Sequence, residues 1–325
     1  MKVVVSDCSW NNYDVEIETL KKEIPGVEVG TAQVQTEEDI LKYCKDADAV
    51  MSEYGPYTRK VLEQLPNLKI ISNSAMGVDN IDLEACKDLG IAVANVPRYC
   101  IHEVAEHIAA LVLSMLRWIP GYDKSVKDQK RWEFSDAPKL YRIEGMTVGL
   151  VGCGRIATMA VNYLKGFNFK VYGYDPYLPK EVAEANGITL VDKLTDLGEV
   201  SDIVISHIPG LPGTEKMVNA EFFNSCKKHP VFVNAARGSS VDYDALAEAL
   251  EKGIISQAGL DVVDTEPADF SHAIFKAPNV IFTPHAAFYS ETALYECRHD
   301  SAMNVKEYLI GDKSKVNYVV DPNKK

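Results

Sequence analysis

The feature that most constrains this chain is a strand, a glycine corner and a helix in immediate succession. Residues 147–151 are apolar and of strand length, and residues 158–165 have helical character. Between them runs Gly152-Cys153-Gly154-Arg155-Ile156-Ala157. A second apolar run, 170–174, leads to Asp175. A Gly-x-Gly alone is a weak signal, but set between strand and helix, with an acid about twenty residues on, it reads as a dinucleotide fingerprint. Gly152 permits the tight turn, Gly154 lets the backbone approach a pyrophosphate, and small Ala157 lets the helix pack close to its strand. The N–H groups that open the helix, at Arg155 and Ile156, would meet the pyrophosphate at the positive end of the helix dipole. Asp175 would accept from the ribose hydroxyls and repel a 2′-phosphate. No Lys or Arg lies at 176–179 to offset that repulsion, which favours NAD over NADP.

The same alternation fills the rest of the chain. Strand-length apolar runs at 2–5, 27–31, 47–51, 68–71 and 91–94 are separated by amphipathic stretches at 13–23, 37–43, 59–64 and 83–88. Strands spaced by helices imply a parallel sheet with right-handed crossovers. A strong helix is expected at 103–118, ended by Pro120-Gly121, and then a charged stretch to residue 144 anchored by Trp132. Beyond the glycine corner, strands are expected at 202–206, 231–234, 257–261 and 280–283, and a helix from 290 to about 309. The expectation is α/β, two doubly wound parallel-sheet domains, with the helices near 103–118 and 290–310 as connections.

Length and charge narrow the function. The 325 residues suit about two domains. With 34 basic and 47 acidic residues, net −13, the chain repels nucleic acid and anionic membranes. The longest apolar stretch, 108–116, is about half a membrane span. The run at Val3-Val4-Val5 is too short for a signal peptide, so a cytoplasmic protein is expected. The seven cysteines show no close metal-type spacing and are expected to be buried thiols.

Four strand ends after the glycine corner carry unusual polar residues, and in open α/β sheets such ends converge on the ligand. They are Ser206-His207-Ile208-Pro209, Asn234-Ala235-Ala236-Arg237-Gly238, Asp261 leading to Glu266-Pro267, and Thr283-Pro284-His285-Ala286-Ala287. Arg237, Glu266 and His285 together make a hydride-transfer site. Arginine offers a planar fork for a carboxylate and an adjacent carbonyl oxygen. Histidine exchanges a proton near neutral pH, and a neighbouring glutamate orients the ring.

With these residues in place the chain resembles the D-isomer-specific 2-hydroxyacid dehydrogenases. The likeness rests on Asn-x-x-Arg-Gly, Leu-Asp-Val-x-x-x-Glu-Pro, Thr-Pro-His, Gly77-Val78-Asp79-Asn80-Ile81-Asp82 and Val104-Ala105-Glu106, and it covers essentially the whole chain. Asn95-Val96-Pro97-Arg98-Tyr99-Cys100 and His285-Ala286-Ala287-Phe288-Tyr289-Ser290 look most like the branch of the C-terminal binding proteins. The resemblance implies a flavodoxin-like substrate domain over 1–100 and 290–325 and a Rossmann NAD-binding domain over 101–289, with a cleft between them. It also implies that Arg237, Glu266 and His285 are catalytic. Backbone N–H groups around Ala75, Met76 and Gly77 would hold the substrate carboxylate, and Val104, His207, Thr214, Ala235 and Asp261 would line the cofactor site. Tyr54 and Phe288 are candidates for a substrate side-chain pocket. The activity implied is NAD-dependent reduction of a small anionic 2-oxo acid, or the reverse, by a homodimer. The rival reading is an NAD(H)-sensing interaction protein of corepressor type. His102 and His107 superficially resemble a zinc helix, but five positions on a helix set them about 140° apart, so no metal is expected.

Overall fold

The computed structural model describes residues 1–10 and 12–324. They form two compact units, residues 1–99 with 290–325, and residues 100–289. The first unit begins with β1 (Lys2–Val5), β2 (Glu28–Thr31), β3 (Ala49–Ser52), β4 (Ile70–Asn73) and β5 (Ala92–Ala94). These pair in parallel in the order β5-β4-β3-β1-β2. Successive residues of a strand face opposite sides, and both sides here are apolar. Val4, Val50, Ile71 and Val93 enter one core with Ile40, Val61 and Ala85. Val3, Val5, Met51, Ile70 and Ala92 enter the other with Leu20, Ala302 and Val305. Sequence order reverses between β1 and β3, so the loops after these strands open at a topological switch point.

The second unit carries β6 (Thr147–Val151), β7 (Lys170–Tyr174), β8 (Ile188–Leu190), β9 (Ile203–Ser206), β10 (Val231–Asn234), β11 (Gln257–Leu260) and β12 (Val280–Phe282). All pair in parallel, in the order β12-β11-β10-β9-β6-β7-β8. This is the Rossmann order, with its switch point between β6 and β9. The chain then returns through the helix Glu291–Leu309, capped by the Ser290 hydroxyl on the Ala293 N–H, to β13 (Tyr318–Val320). That strand joins the first sheet antiparallel to β5.

The two parallel sheets match the expectation. Elsewhere the structure corrects it. β8 and β13 are three residues each and were not expected. Pro120-Gly121 does not simply end the long helix. That helix is Ile101–Leu116, the turn falls at Trp118 (φ 52°), and Pro120 sits in the first turn of a further helix, Ile119–Gln129. Proline suits that position because the first helical N–H groups have no partner in the helix. Gly121 is required there, since a Cβ would lie 2.2 Å from the Trp118 ring. Trp132 anchors nothing within the chain, being 86% exposed. All seven cysteines are buried. Among the described residues no helix is long and apolar enough to cross a membrane.

In the first unit the helices Asp14–Glu23 and Glu291–Leu309 are locked by a buried pair, Arg298 Nη2 to Glu16 Oε2 at 2.7 Å and Nε to Oε1 at 2.9 Å. The Trp10 indole N–H also donates to Glu16, and its ring lies under the guanidinium. Removing one partner of such a pair strands the other charge away from water. Arg298→Leu is expected to lower stability by about 3–5 kcal/mol in urea unfolding. A loss below about 1 kcal/mol would show the pair to be dispensable.

Candidate active site

The glycine corner has a different reason for each glycine. Gly152 lies at φ +82°, and a Cβ there would stand 2.7 Å from the His207 carbonyl oxygen, which fixes β6 against the end of β9. Gly154, with φ −69°, is the N-cap of the helix Arg155–Tyr163 and has nothing within 4 Å of a Cβ position. It needs no glycine conformation, and a Cβ there would enter open space. A glycine cap has no side chain to offer, so the N–H groups of the first turn are left for an outside acceptor. Ala157 is fully buried. Asp175 takes the Cys153 N–H at 2.9 Å and the Tyr177 N–H at 3.0 Å, tying its carboxylate to the corner.

At the neighbouring strand end, Ser206 Oγ and His207 Nε2 are buried with no hydrogen-bond partner among the described residues. Unmet buried polar atoms beside a glycine corner fit a polar ligand. Burial pushes His207 down to about 4, with the Arg237 charge acting the same way, so the ring is neutral at neutral pH. Thr214 knots its own loop, its hydroxyl 2.5 Å from the Pro209 carbonyl and accepting the Leu211 N–H. Val104 and Ala235 are buried apolar positions in the same unit.

The arginine turn is set by Asn234, whose Oδ1 accepts the Ala236 N–H and whose Nδ2 donates to the Arg237 carbonyl. A Cβ on Gly238 would lie 1.8 Å from the Val263 carbonyl oxygen, so only glycine lets the segment after β11 press against this turn. Tyr243 ties the two together, donating to the Val262 carbonyl and accepting from Asn234. That segment carries Glu266. Its Oε1 takes the Val263 N–H, and its Oε2 sits 2.6 Å from His285 Nδ1. Burial alone would raise the Glu266 carboxyl, but the His285 hydrogen bond and charge, the Val263 N–H and Arg237 outweigh it and hold the group below its usual range. Arg237, Glu266 and His285 are therefore gathered at adjoining strand ends of one sheet.

His285 occupies the left-handed region (φ 51°), an unfavourable conformation for a non-glycine residue. Asp261, only 2% exposed, holds it there. The Asp261 carbonyl accepts the His285 N–H at 2.7 Å. Its Oδ1 accepts the Thr283 hydroxyl and the Ala286 N–H, and its Oδ2 accepts the Ala287 N–H. Three of about four acceptor positions are thus filled, leaving one on Oδ2 for a ligand donor. Phe288 meets the His285 ring edge-on at 6.4 Å.

In the first unit, the Ala75 carbonyl accepts the Val96 N–H and the Met76 carbonyl accepts Asn95 Nδ2. Asn73 Nδ2 holds the Gly77 carbonyl. In a trans peptide the N–H points opposite to its carbonyl, so these bonds turn the Met76 and Gly77 N–H groups the other way. Tyr54 is 65% exposed on a loop gripped by buried Asp7, which accepts the Glu53, Tyr54 and Gly55 N–H groups. Sequence reasoning gave no role to Asn73, Asn95, Asn234, Tyr243 or Asp7. An asparagine or aspartate at a strand end was the available signal. His102 and His107 have separate partners, Tyr163 and Thr283, and among the described residues no cluster is placed to hold a metal.

The contrast between the corner glycines is testable. Gly154→Ala is expected to leave the melting temperature within about 2 °C of the parent while weakening NADH binding at least about tenfold, because the methyl enters the space the phosphates need. Gly152→Ala should lower the melting temperature clearly. Equal effects of the two substitutions, measured by thermal melts and NADH fluorescence, would contradict the assignment.

Comparison with known proteins identifies the family. Residues 109–287 match the family model for the NAD-binding domain of D-isomer-specific 2-hydroxyacid dehydrogenases. The chain is 38% identical over 307 residues to the D-3-phosphoglycerate dehydrogenase of Methanocaldococcus jannaschii, covering 93% of this chain but 57% of that protein. The chain thus spans little more than half the length of that relative. It is 34% identical over 309 residues to the D-lactate dehydrogenase of Lactiplantibacillus plantarum, covering 90% of this chain and 92% of that protein. The crystal structure of D-lactate dehydrogenase from Aquifex aeolicus, complexed with NAD and lactic acid, superposes with a TM-score of 0.85 at 28% identity, covering 98% of this chain and 99% of that one. These relatives carry dehydrogenase names and do not single out the branch of the C-terminal binding proteins. The chain belongs to the D-isomer-specific 2-hydroxyacid dehydrogenase family.

Proposed function

We propose that this protein is an NAD-dependent 2-oxo acid reductase that forms D-2-hydroxy acids, acting in the cytoplasm as a homodimer. The observation that carries the reading is the 2.6 Å contact of His285 with Glu266 beside Arg237. No observation favours the corepressor-type alternative. The dinucleotide would be held by the N–H groups of Arg155 and Ile156 over Gly152 and Gly154, with Asp175 on the adenosine ribose. Val104, His207, Thr214, Ala235 and the remaining acceptor position of Asp261 would serve its other end. When bound, NADH supplies a hydride from its nicotinamide ring.

The chain's own residues supply the rest. The Arg237 fork binds one carboxylate oxygen and the C2 carbonyl oxygen of the oxo acid, which fixes the plane of attack and draws charge toward oxygen. Glu266 occupies His285 Nδ1, so the ring keeps its Nδ1 proton and delivers the other from Nε2 to the C2 oxygen as that oxygen gains charge. The Glu266 carboxylate then offsets the positive ring before transfer and reorients it afterwards. In the first unit, the Met76 and Gly77 N–H groups are the proposed carboxylate donors, with Ala75 completing the turn. Tyr54 and Phe288 are proposed contacts for the substrate's side chain.

Mixing the protein with NADH and a panel of 2-oxo acids tests this; no oxidation of tightly bound NADH by any of them would refute it. Two substitutions locate the chemistry. His285→Ala is expected to lower kcat by about 10²–10⁴ with NADH affinity kept, and Arg237→Lys should be severely impaired because a point charge cannot hold two oxygens. Near-parent turnover in either variant removes that residue from the mechanism. Asp175→Ala should narrow the preference for NADH over NADPH, and an unmoved ratio would refute the ribose contact.

A further inference from the structure

His107 has no part in the proton or hydride transfer just described. It projects from the helix Ile101–Leu116, and its Nε2 lies 2.9 Å from the Thr283 hydroxyl oxygen. That hydroxyl has a single proton, and it lies on the 2.5 Å contact with Asp261 Oδ1. The hydroxyl is therefore the acceptor toward His107, and Nε2 must carry the donated proton. His107 Nε2 is itself 3.7 Å from Asp261 Oδ1. The chain of contacts continues inward, because Asp261 receives the Ala286 and Ala287 N–H groups on its side chain and the His285 N–H on its carbonyl.

We propose that His107 is a positioning residue: its Nε2–H fixes the Thr283 hydroxyl on Asp261, and Asp261 in turn holds the strained 285–287 turn that presents the His285 ring. Backbone bonds of Thr283 and His285 tie the turn to the end of β11, and this relay adds a side-chain tie from the turn to the helix. A hydrogen bond in a chain polarises the next, and removal of the outer donor weakens one of the three hydrogen bonds that hold the Asp261 side chain. The Thr283 hydroxyl then loses one of the two bonds that fix it, and its hold on Asp261 Oδ1 is less well directed. The left-handed conformation of His285 is unfavourable by itself and persists only while its surroundings enforce it. Loosening Asp261 thus lets the turn relax and draws the His285 ring off Glu266. This inference rests on His285 as the proton donor for its kinetic consequence, but the geometric part stands on the contacts alone.

The test uses His107→Phe, which removes the donor at similar volume, and His107→Gln, whose amide N–H can replace it. Four quantities are measured on the purified full chain: kcat and KM for a 2-oxo acid, the Kd for NADH, and amide hydrogen exchange at Ala286 and Ala287. The Phe variant should lower kcat about fivefold, the worth of one hydrogen bond between neutral groups, with the NADH Kd raised by no more than that factor. Exchange at the two amides should speed up by about the same factor while the β11 amides stay protected. The Gln variant should recover most of both effects. Parent-like kcat and exchange in the Phe variant would overturn the proposal. So would a fall in kcat with unchanged exchange, or an equal loss in both variants. If the parent protein turns over no 2-oxo acid, the reductase reading fails separately. The exchange arm then decides alone: faster exchange restored by Gln supports the relay, and unchanged exchange contradicts it.

Discussion

A carboxylate buried at a strand end must find N–H and O–H donors in the chain to replace the water it loses, and each unit is organised around one. In the first unit it is Asp7, just past β1. It takes three consecutive N–H groups after β3 and the hydroxyls of Ser6 and Ser52. In the second it is Asp261, just past β11. It takes two consecutive N–H groups after β12 and the Thr283 hydroxyl. In both cases a loop that could adopt many shapes is pulled into one by donors that have nowhere else to go. Parallel sheets collect such loops at one edge, so each anchor shapes the place where a ligand is expected.

Close backbone approach does the remaining work. Gly238 and Gly152 each sit where a methyl group would overlap a neighbouring carbonyl, and each marks a contact between adjacent strand ends. The first presses the Arg237 turn against the segment bearing Glu266, and the second presses the glycine corner against His207. Asn234 and Tyr243 then tie the arginine and glutamate segments by side-chain hydrogen bonds from within the core. Such contacts fix the relative positions of Arg237, Glu266 and His285, drawn from three different loops, and the proposed chemistry, with two substrate oxygens held at once, requires that precision.

The sequence made legible what depends on local pattern. Apolar runs of strand length and the spacing of the helices between them gave the two sheets, because a strand buried on both faces must be apolar throughout. The glycine corner and the residues that end β10, β11 and β12 were legible because few chemistries need those residue types together. What stayed hidden depends on distant partners. β13 is three residues long and exists only because β5 offers an edge. The turn at Trp118 rests on a ring lying over Gly121, a contact invisible in a helical pattern that runs up to it. Trp132 looks like an anchor by composition yet is exposed. Asp261 read as a ligand for the cofactor, whereas most of its capacity goes to the chain itself, because the Ala286 and Ala287 N–H groups that claim it lie on another strand's loop.

In the proposed reaction the groups gathered at these strand ends direct a hydride onto C2 of a 2-oxo acid. The most direct measurement follows the label from NADH deuterated at the transferable nicotinamide position into the product. Deuterium is expected at C2 of a 2-hydroxy acid of D configuration, at one atom per NADH consumed. Deuterium retained in a tightly bound, unconsumed dinucleotide, or label appearing at C2 of the L isomer, would contradict it.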